Sequence, residues 1–410
     1  MRTLVAALAL AIAAPAVAES DWRPVNAETG QIRDLEGLEQ LARDFPDSGS
    51  VRLRMLQPLL QAGETDKLLE ALAWLKTRGY VFGEAAQAQI PKLVGDDHAE
   101  AAEALLISKP QVVESSELFA TVPTEAQLVE SVLPDLDSGR IMVTSVIGRQ
   151  IWGMAGDGNW MPFAVSDADN LSGIAFDVRA RQIWIASGNI DGSDHDPQRK
   201  SGLVSPAMGP GEADWVVAPE GVSLSDVHAA SDGTIFASDP TGGGVYRKRS
   251  GSRTLETVVA PGMFRSPQGL TTSEDGARLY VSDYRYGIAI VDLESGDVSR
   301  LSTEVPVILD GVDGLWRHEG ELIAVQNGTS PMRIAAFKLS ANGKSVVGHR
   351  ILEQAHSGWT EPLGGSLGKG DLFYIANGQW DRFVAGEPAQ DKPSVPTEIR
   401  RLRLGTPDRP

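Results

Sequence analysis

The sequence predicts a mainly β protein: a six-bladed β-propeller of four-stranded blades, preceded by a small all-α domain of helical hairpins. Three observations carry that expectation. The first is the stretch Ser266–Asp283, S-P-Q-G-L-T-T-S-E-D-G-A-R-L-Y-V-S-D. Its Glu274-Asp275-Gly276 turn divides a short apolar start from an alternating strand at Leu279-Tyr280-Val281, which is a hairpin signal. Strands at Gly287–Asp292 and Val298–Leu301 follow, joined by a Glu294-Ser295-Gly296 turn. Four short antiparallel strands in about 40 residues is the size of one blade.

The second observation is that the unit recurs. The second strand of each copy begins at Ile141, Ile183, Ile235, Leu279, Leu322 and Leu372. The first strands align at Glu130-Ser131-Val132, Ser172-Gly173-Ile174, Ser225-Asp226-Val227, Gln268-Gly269-Leu270, Asp313-Gly314-Leu315 and Gly364-Gly365-Ser366. A single blade cannot bury both of its faces, so six copies must close on one another. The third observation is that residues 34–108 carry no such unit and instead show helical spacing.

In chain order, Met1–Ala18 reads as a secretory signal peptide. Arg2 forms its n-region, Leu4–Ala13 its apolar core and Ala16-Val17-Ala18 its cleavage site. The chain contains no Cys, which leaves no disulfide, thiolate metal site or lipid anchor on cysteine. Together these features imply a bacterial periplasmic or secreted protein. The apolar run is too short for a membrane span, and no other run approaches one, so the mature chain is not expected to span a membrane. The formal net charge of −18 argues against nucleic acid as a partner, because phosphate backbones are held by dense Lys and Arg.

Residues 19–108 are expected to form the helical domain. Leu35, Leu38, Leu41 and Ala42 fall on one helical face, as do Val51, Leu53, Leu56, Leu59 and Leu60, and then Leu68, Leu69, Leu72 and Leu75. Gly63-Glu64-Thr65-Asp66 divides two of these helices, with Thr65 or Asp66 as the expected cap. Two more amphipathic stretches, Glu84–Val94 and His98–Ile107, complete the unit. The phrase L-L-Q-A-G-E-T-D-K-L-L-E-A-L resembles a tetratricopeptide-type helical hairpin, which implies a groove for a protein partner; packing against the propeller is the other reading. Residues 109–117 read as a polar linker that few contacts cross. The propeller spans 118–410. The last blade ends with Glu398–Leu404 as its third strand, so Leu118–Val122 is expected to supply the fourth and close the ring without an open sheet edge.

The segments SPQGLTTSEDGARLYVSDYRYGIAIVDLESG and DGVDGLWRHEGELIAVQNGTSP resemble the SMP-30/gluconolactonase family and its strictosidine-synthase-like and paraoxonase-like relatives. The resemblance covers roughly 118–404. It implies one divalent cation, usually calcium, on the propeller axis, held at the starts of inner strands. Glu130 matches the family's first-blade Glu, and Asp313 matches its Asp. Gln268 stands in place of an Asn, and Ser225, followed by Asp226, in place of another. On that resemblance Glu130, Gln268 and Asp313 would be the metal ligands. A Lewis-acid lactonase would then take Asp313 or Asp226 as its base.

Other residues are candidates on their own chemistry. His228 follows Asp226 by two residues, which on a strand puts both side chains on one face and makes an acid–base pair facing the channel. Asn327-Gly328 and Asn377-Gly378 occupy matching positions after the second strands of blades five and six, as ligand-binding loops or as tight turns. With Ser225 and Gln268 they make the expected ligand-contact set. Trp359 and Trp380 would wall the mouth of the channel or pack between blades. Asp191, Asp194, His195 and Asp196 sit in a long blade-two loop that would overhang one mouth. Two functions stand side by side. One is a module with a degenerate axial site that binds a small ligand, or a protein through its helices. The other is a metal-dependent hydrolase of a lactone or other ester.

Overall fold

Strand-length apolar runs separated by Gly, Asp and Asn turns can hide their surface only by stacking blade against blade. In the computed structural model, which describes residues 21–190, 196, 198–207 and 211–405, they do so six times. Blade one is built from strands at 129–135, 140–145, 150–154 and 160–164, counted from the axis outward, and blade four from 267–272, 278–283, 287–292 and 298–300. Blades two, three and five repeat the antiparallel order, with innermost strands starting at Leu171, Val227 and Gly314. Blade five gains a fifth strand, Ser302–Thr303, running parallel to its outer edge. The sixth blade orders Gly365–Gly368, Asp371–Ile375, Thr397–Arg403 and finally Glu117–Val122 from the start of the propeller. Glu117 pairs with Arg401 and Val122 with Thr397, so strands from the two ends of the propeller close the ring.

The expected alternation along Leu279-Tyr280-Val281 is not what the strand shows. Five of the six residues of Arg278–Asp283 are buried, on both faces. The second strand of a blade lies between two neighbouring blades, so neither face meets water. Toward the axis the blades taper, and neighbouring backbones nearly touch. The Gly269 N–H donates to the Asp313 carbonyl at 2.8 Å, and a Cβ at Gly269 would lie 2.4 Å from the Leu315 nitrogen. Only glycine fits there. At Gly276 the left-handed φ of 70° makes the turn read in the sequence.

Among the described residues, five α-helices precede the propeller: α1 Leu35–Asp44, α2 Gly49–Ala62, α3 Thr65–Thr77, α4 Glu84–Leu93 and α5 Asp96–Leu106. Asp34 caps α1 by accepting from the Gly37 N–H, and Gly63 at φ 70° ends α2. The expected cap at Thr65 or Asp66 is not used. Glu64 takes the cap position without a side-chain bond, and Thr65 and Asp66 lie in the first turn of α3. Only one residue separates the left-handed Gly63 from the helix, so the start falls earlier than the side-chain types suggest.

The helices share a hydrophobic core with blades three and four. Trp22 packs on Phe45 and Phe264 at 5.0 and 5.4 Å between ring centres, and Phe45 on Tyr286 at 4.8 Å. The segment after α5 is bound to blade five. Val113 pairs with Gln354, Glu114 accepts from the Ser357 N–H, and Glu353 accepts from the N–H groups of Ser115 and Ser116. Val81 and Ser330 exchange hydrogen bonds, so the α3–α4 connection rests on a loop of blade five. The helical segment thus sits beside the loops of blades four and five that open onto the axial cavity. Among the described residues, no helix is long and apolar enough to cross a membrane. The expected signal peptide lies outside the described residues.

Candidate functional site

Every innermost strand starts at the same end of the ring, so the first residues of six strands meet around one axis. There the entries to the inner strands of blades one, three, four, five and six line a cavity of about 390 Å³, and blade two reaches it through Ile190. Six of the sequence candidates are on its wall: Glu130, Ser225, Gln268, Asp313, Asn327 and Trp380. Further along the strands, a second cavity of about 30 Å³ is lined by Asp226 and His228. Asn377 lines neither. Its Nδ2 donates to the Pro396 carbonyl at 3.0 Å and its Oδ1 accepts from the Glu398 N–H, which makes it a brace for the last loop. The equivalent Asn327 accepts from the Tyr284 hydroxyl at 2.8 Å and donates to the Pro362 carbonyl at 3.1 Å, stitching blades four, five and six at the cavity wall.

The two tryptophans separate. Trp380 walls the cavity and its Nε1–H donates to Glu130 Oε2 at 3.0 Å. Trp359 stacks on His356 and donates to the Tyr374 hydroxyl, packing between blades five and six as the other reading expected. From the blade-two loop, Ile190 reaches the cavity. Asp191, Asp194 and His195 lie outside the described residues, and Asp196 pairs with Arg199 at 3.5 Å.

Among the charged and aromatic residues of the cavity, the sequence reading missed four: Glu361, Tyr284, Arg265 and Arg285. A repeated signal points to the arginines. The second strands of blades three and four both end in Ser-Asp, and each Asp organises the loops that follow. Asp283 is buried and accepts from the backbone N–H groups of Arg265 at 2.6 Å, Ser266 at 3.4 Å and Arg285 at 2.9 Å. It thereby fixes both arginine-bearing loops. Asp239 does the same for Thr241 and Gly242 in blade three.

Protein surrounds the axial carboxylates even though cavity solvent reaches them. Burial, then repulsion from Asp313, Asp226 and Glu361, pushes the Glu130 carboxyl well above its ordinary range, against the Trp380 hydrogen bond. Asp313 is raised well above its range by burial, then by Asp226 and Glu361. Glu361 is raised by burial and then Asp381. Burial lifts Asp226 to about 7. His228 is held neutral, lowered to about 4 by burial first and then by Arg317, with Asp232 opposing. Its Nε2 accepts from the Thr272 N–H at 3.2 Å and lies 3.0 Å from the Thr272 hydroxyl, which leaves the proton on Nδ1. Among the described residues no hydrogen bond joins Asp226 to His228, so the expected pair shares a cavity without being linked.

The resemblance implies a divalent cation here, and the donors can be tested against it. Calcium takes six to eight oxygens. Among the described residues no three Asp, Glu or His side chains converge closely enough to hold an ion. Glu130 Oε2 is engaged by Trp380, the Gln268 amide nitrogen donates to Ser266 Oγ at 3.1 Å, and two arginines stand on the same cavity wall. As placed, the side chains do not make a calcium centre.

No family model and no curated protein matches the sequence. Three of the solved structures with a similar fold are these. A gluconolactonase from Xanthomonas campestris is 16% identical over 72% of this chain and 98% of that one, with a TM-score of 0.47. Aldose sugar dehydrogenase from Streptomyces coelicolor is 15% identical over 72% and 99%, with a TM-score of 0.48. Virginiamycin B lyase from Staphylococcus aureus is 14% identical over 70% and 99%, with a TM-score of 0.49. A shared propeller does not fix a reaction, so function has to be read from the residues of this cavity.

Proposed function

We propose that this protein is an exported propeller that binds a small polar ligand in its axial cavity. One observation carries the reading: polar side chains from blades one, three, four, five and six face a single cavity, and several have no partner among the described residues. Ser225 is 7% exposed and its hydroxyl makes no hydrogen bond to any of them. Polar side chains that converge on one cavity without protein partners of their own favour a ligand that supplies them. The signal-like Met1–Ala18 pattern supports export.

A metal-dependent lactone or ester hydrolase is the competing reading. It is favoured by the mutual repulsion of Glu130, Asp226 and Asp313, which a cation would relieve. A protein partner, the third reading, would use the helical segment, where Leu93 and Ile107 are exposed.

The test is a thermal-shift screen of the full chain with glucose, gluconate, glucono-1,5-lactone and common amino acids, repeated on Gln268→Trp, which fills the cavity. At least one probe should raise the melting temperature of the wild type and not of the variant, with both folded by circular dichroism. Shifts that persist in Gln268→Trp, or no shift with any probe, would sink the reading.

A further inference from the structure

Three short segments of blades four and five serve the cavity and the helices at once. Tyr284 stands on the cavity wall, and the carbonyl of the next residue, Arg285, accepts from the Ser48 hydroxyl ahead of α2 at 2.9 Å. Asp313 is on the wall, and three residues earlier Asp310 accepts from the Ser48 hydroxyl and from the N–H groups of Gly49 and Ser50. Asn327 is on the wall, and the residue before it, Gln326, is fully buried. Gln326 donates to the Ile308 and Asp310 carbonyls at 3.1 and 2.9 Å and accepts from Arg333 Nε at 2.7 Å. Arg333 Nη1 donates in turn to the Arg78 carbonyl at the end of α3, at 3.3 Å. Each segment thus gives one residue to the cavity and a near neighbour to the joint with the helices.

The three backbones are stacked without slack. The Gly311 N–H donates to the Tyr284 carbonyl at 2.8 Å, and the Gly328 N–H to the Gly311 carbonyl at 3.1 Å. A Cβ at Gly311 would lie 2.7 Å from the Gly328 carbonyl carbon, and one at Gly328 would lie 2.7 Å from the Tyr284 ring. A layer packed this closely passes a displacement on instead of absorbing it. The joint behind it is not fully satisfied. Arg78 Nε, Arg300 Nε and Arg333 Nη2 are buried there without a partner among the described residues. Buried donors left unpaired cost stability, so the docked position of α2 is held against a penalty. The helical segment is also tied down at its two ends, where the Trp22 N–H donates to the Val298 carbonyl and Val113 pairs with Gln354.

We infer that the docking of α2 is a latch on the axial cavity. Docked, α2 holds Arg285 and Asp310 through Ser48, Gly49 and Ser50, and the stacked layer keeps Tyr284, Asp313 and Asn327 in the wall. Lifted, α2 takes its donors away from both, and the Tyr284–Asn327 bond loses its backing. The ties at Trp22 and Val113 keep the helices on the propeller in either position. Coupling of this kind is reciprocal. A molecule that braces Tyr284 and Asn327 from within the cavity holds α2 down, and whatever draws α2 away loosens the cavity wall. The latch adds regulation to the cavity read above as a ligand site and rests on that reading for its use. Its parts all lie within the chain, so it is testable with the cavity unliganded.

The test is amide hydrogen exchange on the full chain without added ligand, with one hydroxyl removed from each face of the layer. Tyr284→Phe acts on the cavity face and Ser48→Ala on the joint. Ser366→Ala, which removes a hydroxyl bond to the Val132 carbonyl between blades six and one, is the control. Tyr284→Phe should speed exchange of the Gly49, Ser50 and Val51 amides by about tenfold or more, and Ser48→Ala that of the Gly311, Asp313 and Gly328 amides by as much. The control should change neither set, and the amides of blade two should be unchanged in all three variants. Asn327→Ser repeats the cavity-face test should Tyr284→Phe not fold. Exchange that rises only on the variant's own face would overturn the latch and leave the ligand site untouched. A rise spread over all six blades would overturn it too, by showing a general loss of stability. A thermal-shift screen in which no probe binds would remove the ligand site and leave the latch standing.

Discussion

The molecule contains two sets of buried acids, and they are treated in opposite ways. At the joint between helices and propeller, Asp310 is 2% exposed and accepts from the Ser48 hydroxyl at 2.8 Å, the Gly49 N–H at 3.0 Å and the Ser50 N–H at 2.7 Å. It caps α2 from a distant part of the chain. Beside it, Asp47 is bonded to Arg300 and Thr303, both at 2.9 Å. In the axial cavity, Asp313 lies three residues from Asp310 and accepts nothing from the described residues. Local sequence is nearly the same, G-V-D against I-L-D. The difference teaches what each is for. A buried carboxylate that collects protein donors holds two parts of a fold together; one left without donors keeps its capacity for something outside the chain.

Both sets hang on the same closed ring, so the largest effect should come from opening it. Deleting residues 117–122 removes the strand that pairs with Thr397–Arg403 and leaves that strand as an open sheet edge. The expected result is loss of a single cooperative thermal transition by calorimetry. An unchanged melt would mean the ring closes elsewhere.

Next in size is the contrast itself. Asp310→Ala strips three donors of their acceptor, two of them N–H groups in the first turn of α2, for an expected loss of about 3–5 kcal/mol in urea unfolding. Asp313→Asn removes a repelling charge and no hydrogen bond, so it should change stability by about 1 kcal/mol or less, toward greater stability. Equal losses in the two variants would break the distinction between joint and cavity.

Asp283 sharpens the comparison because it belongs to both classes. It is rich in donors, yet it serves the cavity. Burial raises its carboxyl from 3.8 to about 6, against the pull of its backbone partners. A carboxyl raised on folding contributes stability that is fully present below pH 4 and is lost as pH climbs through about 6. Asparagine does not titrate. Relative to wild type, Asp283→Asn should therefore gain on the order of 3 kcal/mol between pH 4 and pH 7. A stability difference that stays flat across that window would show that Asp283 titrates at its ordinary value.

The smallest expected effect concerns calcium. With donors as placed, millimolar calcium should move the melting temperature by less than about one degree, in the wild type and in Glu130→Gln alike. A rise of several degrees that Glu130→Gln abolishes would restore the metal-dependent hydrolase reading.

Much of the architecture was legible in the sequence. The six second strands fall where the repeat places them, and Leu118–Val122 closes the ring as the missing fourth strand of blade six requires. Glu130, Ser225, Gln268 and Asp313 meet at one cavity because the starts of inner strands are marked by the repeat. Matched position failed for Asn327 and Asn377: the same Asn-Gly phrase reaches the cavity in blade five and turns into the final loop in blade six. The loop after Asn377 is far longer, and its backbone competes for the side chain. The Asp226–His228 pairing also failed, although both residues share a face, because the Thr272 backbone reaches the imidazole from the neighbouring blade.

By itself the sequence determined whatever depends on near neighbours along the chain: strand period, turn glycines, helical faces, and the count of repeats that forces closure. Those signals act over a few residues and survive any arrangement of the rest. The tertiary structure alone decided that Arg265, Arg285 and Glu361 would share a cavity with Glu130. These residues stand up to 231 positions apart, between Glu130 and Glu361. No local pattern joins them, because the contact exists only once six blades have closed around a common axis and their taper has set which loops lie opposite.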